Sequence, residues 1–220
     1  MSGGGISTPS PAVHSSERAR RQLAFMQRPG AAQGIGVWAF IGVATALFSL
    51  FIAAYVMRMS EFDATRIVMP WQLVLSTSCL IAGSLMLQRA SKLALQAADF
   101  DAPFLAGGAC ALAFIIVQFW AWHDLLDRQV SLQGNPAGSF FYLLTAMHGL
   151  HVLGGLAGWC VAWLASRTRP IDPVHAAWRI ALCARYWHFL LVVWALLYAA
   201  FVFITPEFAA FVCGTRGRLP

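Results

Sequence analysis

The sequence predicts an all-α, polytopic membrane protein built as a bundle of five transmembrane helices. Of its 220 residues, 59% are hydrophobic and 11% are charged, with a mean hydropathy of +0.66, whereas a soluble domain carries about 25% charged residues. The apolar residues fall into five long runs, each close to the ~20 residues that a helix needs to cross a bilayer. Since a backbone in lipid must satisfy its own hydrogen bonds, these runs are predicted to be helices.

Short connections separate the five predicted spans, so consecutive helices should be antiparallel neighbours. The spans are Ile35–Met57, Trp71–Leu87, Pro103–Leu126, Ser139–Leu164 and Tyr186–Ile204. The second run is the shortest, and we expect its helix to continue to about Ser91, so that the long side chain of Arg89 reaches the headgroups. Pro103 is compatible with the first turn of the third helix. The prolines within residues 168–173 predict a rigid turn before the fifth span.

The basic residues predict the orientation of the chain. We expect residues 1–34 to form a disordered, basic cytoplasmic tail, residues 35–205 the five-helix membrane domain, and residues 206–220 a short outer tail. An N-terminus in the cytoplasm and a C-terminus in the periplasm satisfy the positive-inside rule, because ten basic residues then lie on the inner side and five on the outer side. The net charge of +6 thus reflects topology, and no nucleic-acid partner is expected.

Two residue types argue against several classes of protein. The five cysteines lack the close spacing of a zinc site or a disulfide framework. None of the nine carboxylates lies deep within a predicted span, whereas ion-coupled transporters normally keep a buried acid as a carrier. Independent ion coupling is therefore disfavoured.

Three histidines lie inside predicted spans, where an ionisable side chain is costly and has a structural or functional purpose. His148 and His151 are three residues apart and share one face of the fourth helix, while His188 enters the fifth span. Ligation of haem or copper is one interpretation, and a proton-linked role is another. Because no third Cys, Asp or Glu lies at that depth, we favour a third: imidazoles that hydrogen-bond between helices and order the bundle.

Gly154 and Gly158 form a GxxxG pair on the fourth helix. Such pairs let another helix approach closely in a membrane. We therefore expect this helix to be packed within the bundle, and the pair to be structural.

Two motifs with the histidines at their centre carry a family resemblance. The run from Gly138 to Val152 (GSFFYLLTAMHGLHV) and the run RYWHF that begins at Arg185 and leads to Trp194 resemble the two strongest motifs of subunit III of the haem–copper terminal oxidases. The segment QFWAW from Gln118 is similar as well. Order and spacing agree from about residue 37 to residue 204, in the short five-helix form found in bacteria.

The resemblance implies a non-catalytic subunit of an aerobic respiratory oxidase, with cytochrome c oxidase favoured, that reduces oxygen to water with proton translocation. Such a subunit lies in the bacterial plasma membrane, binds no haem, copper or other metal itself, and stabilises the catalytic subunit I in a complex that includes subunit II. Haem and copper are expected in those partners, and bound phospholipid in a cleft between helices of this chain. Arg185, Tyr186 and Trp187 are the candidates for headgroup contact, because guanidinium groups suit phosphate and aromatic rings suit the interface.

Three positions depart from the family pattern, each by lacking a carboxylate. They are Ala44 in the first helix, Ala121 in the third and Leu191 in the fifth. These departures argue against a proton-antenna role and leave the scaffold and lipid roles.

Two other functions remain compatible with the sequence. One is a subunit-III-like accessory protein of a nitric oxide reductase, which keeps the fold and changes the partner. The other is a stand-alone membrane channel or transporter, which the missing internal repeat and the missing buried acid disfavour.

Overall fold

A computed structural model of the protein describes residues 31–60, 69–96, 98–128, 136–168, 173–205, 208–209 and 211. Its five helices are α1 (Ala31–Met59), α2 (Gln72–Leu95), α3 (Asp101–Asp127), α4 (Pro136–Thr168) and α5 (Pro173–Phe203). All five are long and apolar enough to cross a membrane, so the predicted five-span bundle is confirmed. Most of the predicted tails and of the turn at 168–173 lies outside the described residues.

All five helices are longer than the predicted spans, α2 and α5 most clearly, because hydropathy reports the part of a helix that crosses lipid and not the whole helix. The fifth helix begins at Pro173, a full three turns before the predicted start at Tyr186. Proline suits a first helical turn, and the added segment carries Arg179 and Arg185. The second helix continues to Leu95, past the predicted ends at residues 87 and 91.

Consecutive helices run antiparallel, as predicted, but they are not all neighbours: among the described residues α1 packs against α4 and α5 and does not contact α2. By contrast, α2 and α3 pack closely through small residues. A Cβ placed on Gly83 would lie 3.2 Å from the Cβ of Cys110, and one placed on Gly107 would lie 2.6 Å from Cγ of Leu87. Glycines are therefore required where these two helices meet.

Aromatic side chains join α3 to α4. Phe104 stacks on Trp159 with ring centroids 5.6 Å apart and on Trp163 at 5.9 Å. The indole Nε1 of Trp159 donates a hydrogen bond of 3.0 Å to the carbonyl oxygen of Phe104. Nearby, Arg167 of α4 forms a 2.6 Å ion pair with Asp101, in the first turn of α3. The two helices are thus fastened at one end of the bundle.

That end of the bundle is the basic end, defined by the described residues Arg89, Lys92, Arg167, Arg179 and Arg185. The opposite end carries Arg58 and Arg128 in the same described ranges. Within the described ranges, the helices place these side chains at the two ends and keep Asp, Glu, Lys and Arg out of the middle of each span.

Candidate functional site

His148 lies where four helices meet. Its ring is fully buried and contacts one aromatic side chain from each of three other helices. The ring centroids are 6.3 Å from Phe48 of α1, 5.6 Å from Phe114 of α3 and 5.2 Å from Trp194 of α5. Neither imidazole nitrogen has a hydrogen-bond partner among the described residues. Among the described residues, His148 therefore contacts its neighbours through its ring and makes no direct hydrogen bond through its side chain.

His151, one turn along α4, pairs with its own helix. Its Nδ1 donates to the carbonyl oxygen of Met147 at 2.6 Å, which fixes the ring orientation. The ring packs against Phe40 and Phe48 of α1, with centroids at 5.5 and 5.1 Å. The hydroxyl of Tyr186 donates to the backbone oxygen of His151 at 3.0 Å. This group joins α1, α4 and α5.

The side chain of His188, on α5, bonds to two side chains of α2. Its Nε2 and the amide oxygen of Gln88 are 2.9 Å apart, and its Nδ1 and the hydroxyl of Ser84 are 2.5 Å apart. The pattern is consistent with Nε2–H donating to Gln88 and Ser84 donating to Nδ1. Since Ser84 and Gln88 lie one turn apart on α2, they bind the two nitrogens of the His188 imidazole and so connect α2 to α5.

Sequence reasoning missed Ser84 and Gln88, although a usable signal was present. Two polar residues four apart in an apolar run share one helix face, and burial in lipid makes a partner necessary. The same reasoning applies to Thr77, whose hydroxyl accepts a 2.9 Å bond from Nε1 of Trp194.

The close approach predicted at Gly154 and Gly158 is not found among the described helices. A Cβ added to either residue would meet nothing within 4 Å, and both glycines are exposed. The neighbouring Gly155 is the one in tight contact, because its Cβ would lie 2.8 Å from the ring of Tyr186. Within the described bundle, the tight contact therefore falls on the same turn of α4 but on Gly155, next to the predicted pair.

Gly154 and Gly158 instead line a cavity between α1, α4 and α5. It has a volume of about 560 Å³, and its other lining residues include Gly36, Phe40, Val161, Arg179, Leu182 and Tyr186. The walls are mainly apolar, the glycines leave it open to the surface of the bundle, and Arg179 places a guanidinium at the basic end. The volume falls within the range of about 300–1,000 Å³ that is typical of ligand pockets.

The three residues predicted to contact headgroups occupy different environments. Arg185 is exposed at the basic end, with its guanidinium carbon 5.4 Å from the ring centroid of Trp178. Tyr186 is half-buried and lines the cavity. Trp187 is fully buried, a position that corresponds to packing inside the bundle and not to headgroup contact.

The three positions at which this chain lacks a carboxylate of the family pattern lie mostly in the interior of the bundle. Ala44 is 1% exposed and Ala121 is fully buried, while Leu191 is half-buried against the core. In the described ranges, no three His, Cys, Asp or Glu side chains come together in a group that could hold a metal ion.

Comparisons with known proteins agree with the motifs. Residues 40–205 match the profile of the family described as cytochrome c oxidase subunit III. The probable cytochrome c oxidase subunit 3 of Mycobacterium tuberculosis (strain ATCC 25618 / H37Rv) is 33% identical over 93 residues, which is 42% of this chain and 45% of that relative. The chain thus spans about half the length of this curated relative.

Two further relatives match over a longer stretch. The cytochrome c oxidase subunit 3 of Alkalihalophilus pseudofirmus is 27% identical over 173 residues, and that of Bacillus subtilis is 26% identical over 174 residues. Each alignment covers 74% of this chain and 82% of the relative. Since the family profile spans the described bundle from α1 to the end of α5, the chain belongs to the cytochrome c oxidase subunit III family.

Proposed function

We propose that this chain is the non-catalytic subunit III of an aerobic respiratory cytochrome c oxidase, which reduces oxygen to water with proton translocation. It lies in the bacterial plasma membrane with its N-terminus in the cytoplasm, and it stabilises the catalytic subunit I in a complex with subunit II. Haem and copper belong to those partners. The observation that carries the proposal is the family match across the whole five-helix bundle.

A scaffold role is supported by how the histidine motifs are used. His148 and His151 bring α1, α4 and α5 together through aromatic contacts, and His188 joins α5 to α2. Each motif therefore holds helices in register. A rigid bundle of this kind can present one fixed surface to a catalytic partner.

The cavity supports the lipid part of the proposal. Gly154, Gly155 and Gly158 remove side chains from one stripe of α4, and Phe40, Val161 and Leu182 complete an apolar wall. Such a groove suits an acyl chain of a phospholipid. Arg179 of the cavity and the exposed Arg185 lie at the basic end, where a guanidinium can bind a phosphate. The combination favours an anionic phospholipid.

Filling the cavity tests the lipid role. Gly154→Leu adds a side chain to open space and so occupies the groove without a backbone clash. Gly149→Leu is the matched control, because Gly149 lies on the same helix, has nothing within 4 Å of an added Cβ, and does not line the cavity. We expect Gly154→Leu to reduce phospholipid retained by the purified complex, measured by native mass spectrometry, while Gly149→Leu retains it. Equal lipid in both variants would contradict the assignment.

The oxidase assignment is tested by a tag on this chain. Material captured through the tag in mild detergent should give a reduced-minus-oxidised spectrum with haem bands, and it should consume oxygen. Haem bands with reduction of nitric oxide in place of oxygen would favour the nitric oxide reductase alternative. A flat spectrum from chain that is folded, alone and active in liposomes would favour the channel or transporter alternative.

A further inference from the structure

Several buried polar side chains of the bundle have atoms without a hydrogen-bond partner among the described residues, and two of these side chains, His148 and Gln118, lie on adjacent helices. Both nitrogens of His148 and both amide atoms of Gln118 have no hydrogen-bond partner among the described residues. His148 is 0% exposed and Gln118 is 6% exposed. A buried polar group without a partner is costly, and the great majority of such groups are paired with protein or with bound water.

Two contacts between α3 and α4 flank Gln118 and place it near the level of His148. One turn before Gln118, Phe114 contacts the ring of His148. One turn after it, the indole Nε1 of Trp122 donates a 3.1 Å hydrogen bond to the hydroxyl of Thr145, which is one turn from His148. Since α3 and α4 are antiparallel, Gln118 lies on the α4-facing side of α3 at a level between Thr145 and His148.

The same bundle shows what a direct bond between these residue types looks like. Gln88 and His188 approach to 2.9 Å between α2 and α5. Gln118 and His148 make no such bond, although they lie within about one helical turn, or 5.4 Å, of each other along the helix axis. One water molecule with two hydrogen bonds of about 2.8 Å spans that separation, and a buried water typically makes about three bonds.

We propose that Gln118 and His148 form an internal binding site for one or two water molecules between α3 and α4. The water accepts from the amide nitrogen of Gln118 or donates to its oxygen, and it bonds to one nitrogen of His148. The bound water thereby gives His148 a hydrogen-bond partner, which the surrounding rings of Phe48, Phe114 and Trp194 do not supply. The site depends on no partner subunit, because both side chains are buried within this chain.

High-resolution cryo-electron microscopy of the assembled complex tests the site directly. We expect a density peak within hydrogen-bond distance of both Gln118 and His148, and its loss in Gln118→Leu. A map that shows waters elsewhere in the chain but none here, with the two side chains bonded directly, would overturn the proposal.

A double-mutant cycle gives an independent test on the full chain in detergent. If water links the two residues, Gln118→Leu or His148→Leu alone leaves one polar group buried without its bridge, and each lowers the folding equilibrium constant by about tenfold. The double variant removes both polar groups, so we expect its loss to be smaller than the product of the two single losses. The control pairs His148→Leu with Gln88→Leu, whose partner is His188, and additive effects are expected there. Additivity in both cycles would overturn the proposal.

Discussion

Replacing Gly108 with alanine places one methyl group in the tightest contact between α3 and α4. The new Cβ would lie 2.4 Å from Cε2 and from Cζ2 of Trp159, so the indole ring has to move. That ring stacks on Phe104 and donates a 3.0 Å hydrogen bond to its carbonyl oxygen. The ring therefore cannot retreat without loosening both contacts.

The expected cost follows from three terms. Overpacking costs about 1–3 kcal/mol, and loss of the indole hydrogen bond costs about 1 kcal/mol. Against these, alanine is favoured over glycine in a helix by up to about 1 kcal/mol. We therefore expect Gly108→Ala to lower the free energy of unfolding by about 1–3 kcal/mol.

Unfolding of the full chain in mixed detergent micelles, followed by tryptophan fluorescence, measures this change. Gly149→Ala is the matched control, because nothing lies within 4 Å of its added Cβ, and its effect should stay within about 0.5 kcal/mol. In a Trp159→Leu background the clash is gone, so Gly108→Ala should cost much less there. Equal costs in the two backgrounds, or equal costs at positions 108 and 149, would refute the reasoning.

Three further predictions concern polar contacts. His188→Leu removes an imidazole with two partners on α2 and should lower the free energy of unfolding by about 1–2 kcal/mol in the same assay. An unchanged unfolding midpoint would show that these two hydrogen bonds do not stabilise the bundle. Asp101→Asn breaks the half-exposed ion pair with Arg167, and we expect a loss of about 0.2–1 kcal/mol that shrinks at high salt; a loss independent of salt would contradict an ionic origin. His151→Leu should reduce the yield of assembled complex while the haem content per complex stays equal by pyridine haemochrome spectra, whereas full yield with one haem missing would contradict a structural role.

Resemblance in the histidine motifs identified the residues, but only the structure shows how differently the three are used. His188 is held by side chains of α2, His151 by its own backbone, and His148 by aromatic rings. All three lie among apolar residues of predicted spans, so the local sequence does not show which partner each ring has. The difference arises from which neighbouring helix faces each ring.

The glycines show the same difference between what a sequence motif predicts and what the structure shows. A GxxxG spacing predicts close packing on one side of a helix, and Gly154 and Gly158 satisfied it. In the bundle, tight contacts fall on Gly155, Gly107 and Gly108, while that pair borders a cavity. The spacing of glycines does not distinguish a helix face that packs against another helix from a face that borders a cavity.

The number of spans, their order and their antiparallel directions follow from the sequence, because apolar length and short connections dictate them. The apolar runs underestimate the lengths of α2 and α5, since a helix can continue beyond the lipid once its backbone hydrogen bonds are established. Helix packing in three dimensions sets which faces meet, where the cavity opens, and which buried polar groups have hydrogen-bond partners. Those outcomes depend on side chains from different helices meeting at one point, as the rings of Phe48, Phe114 and Trp194 do around His148.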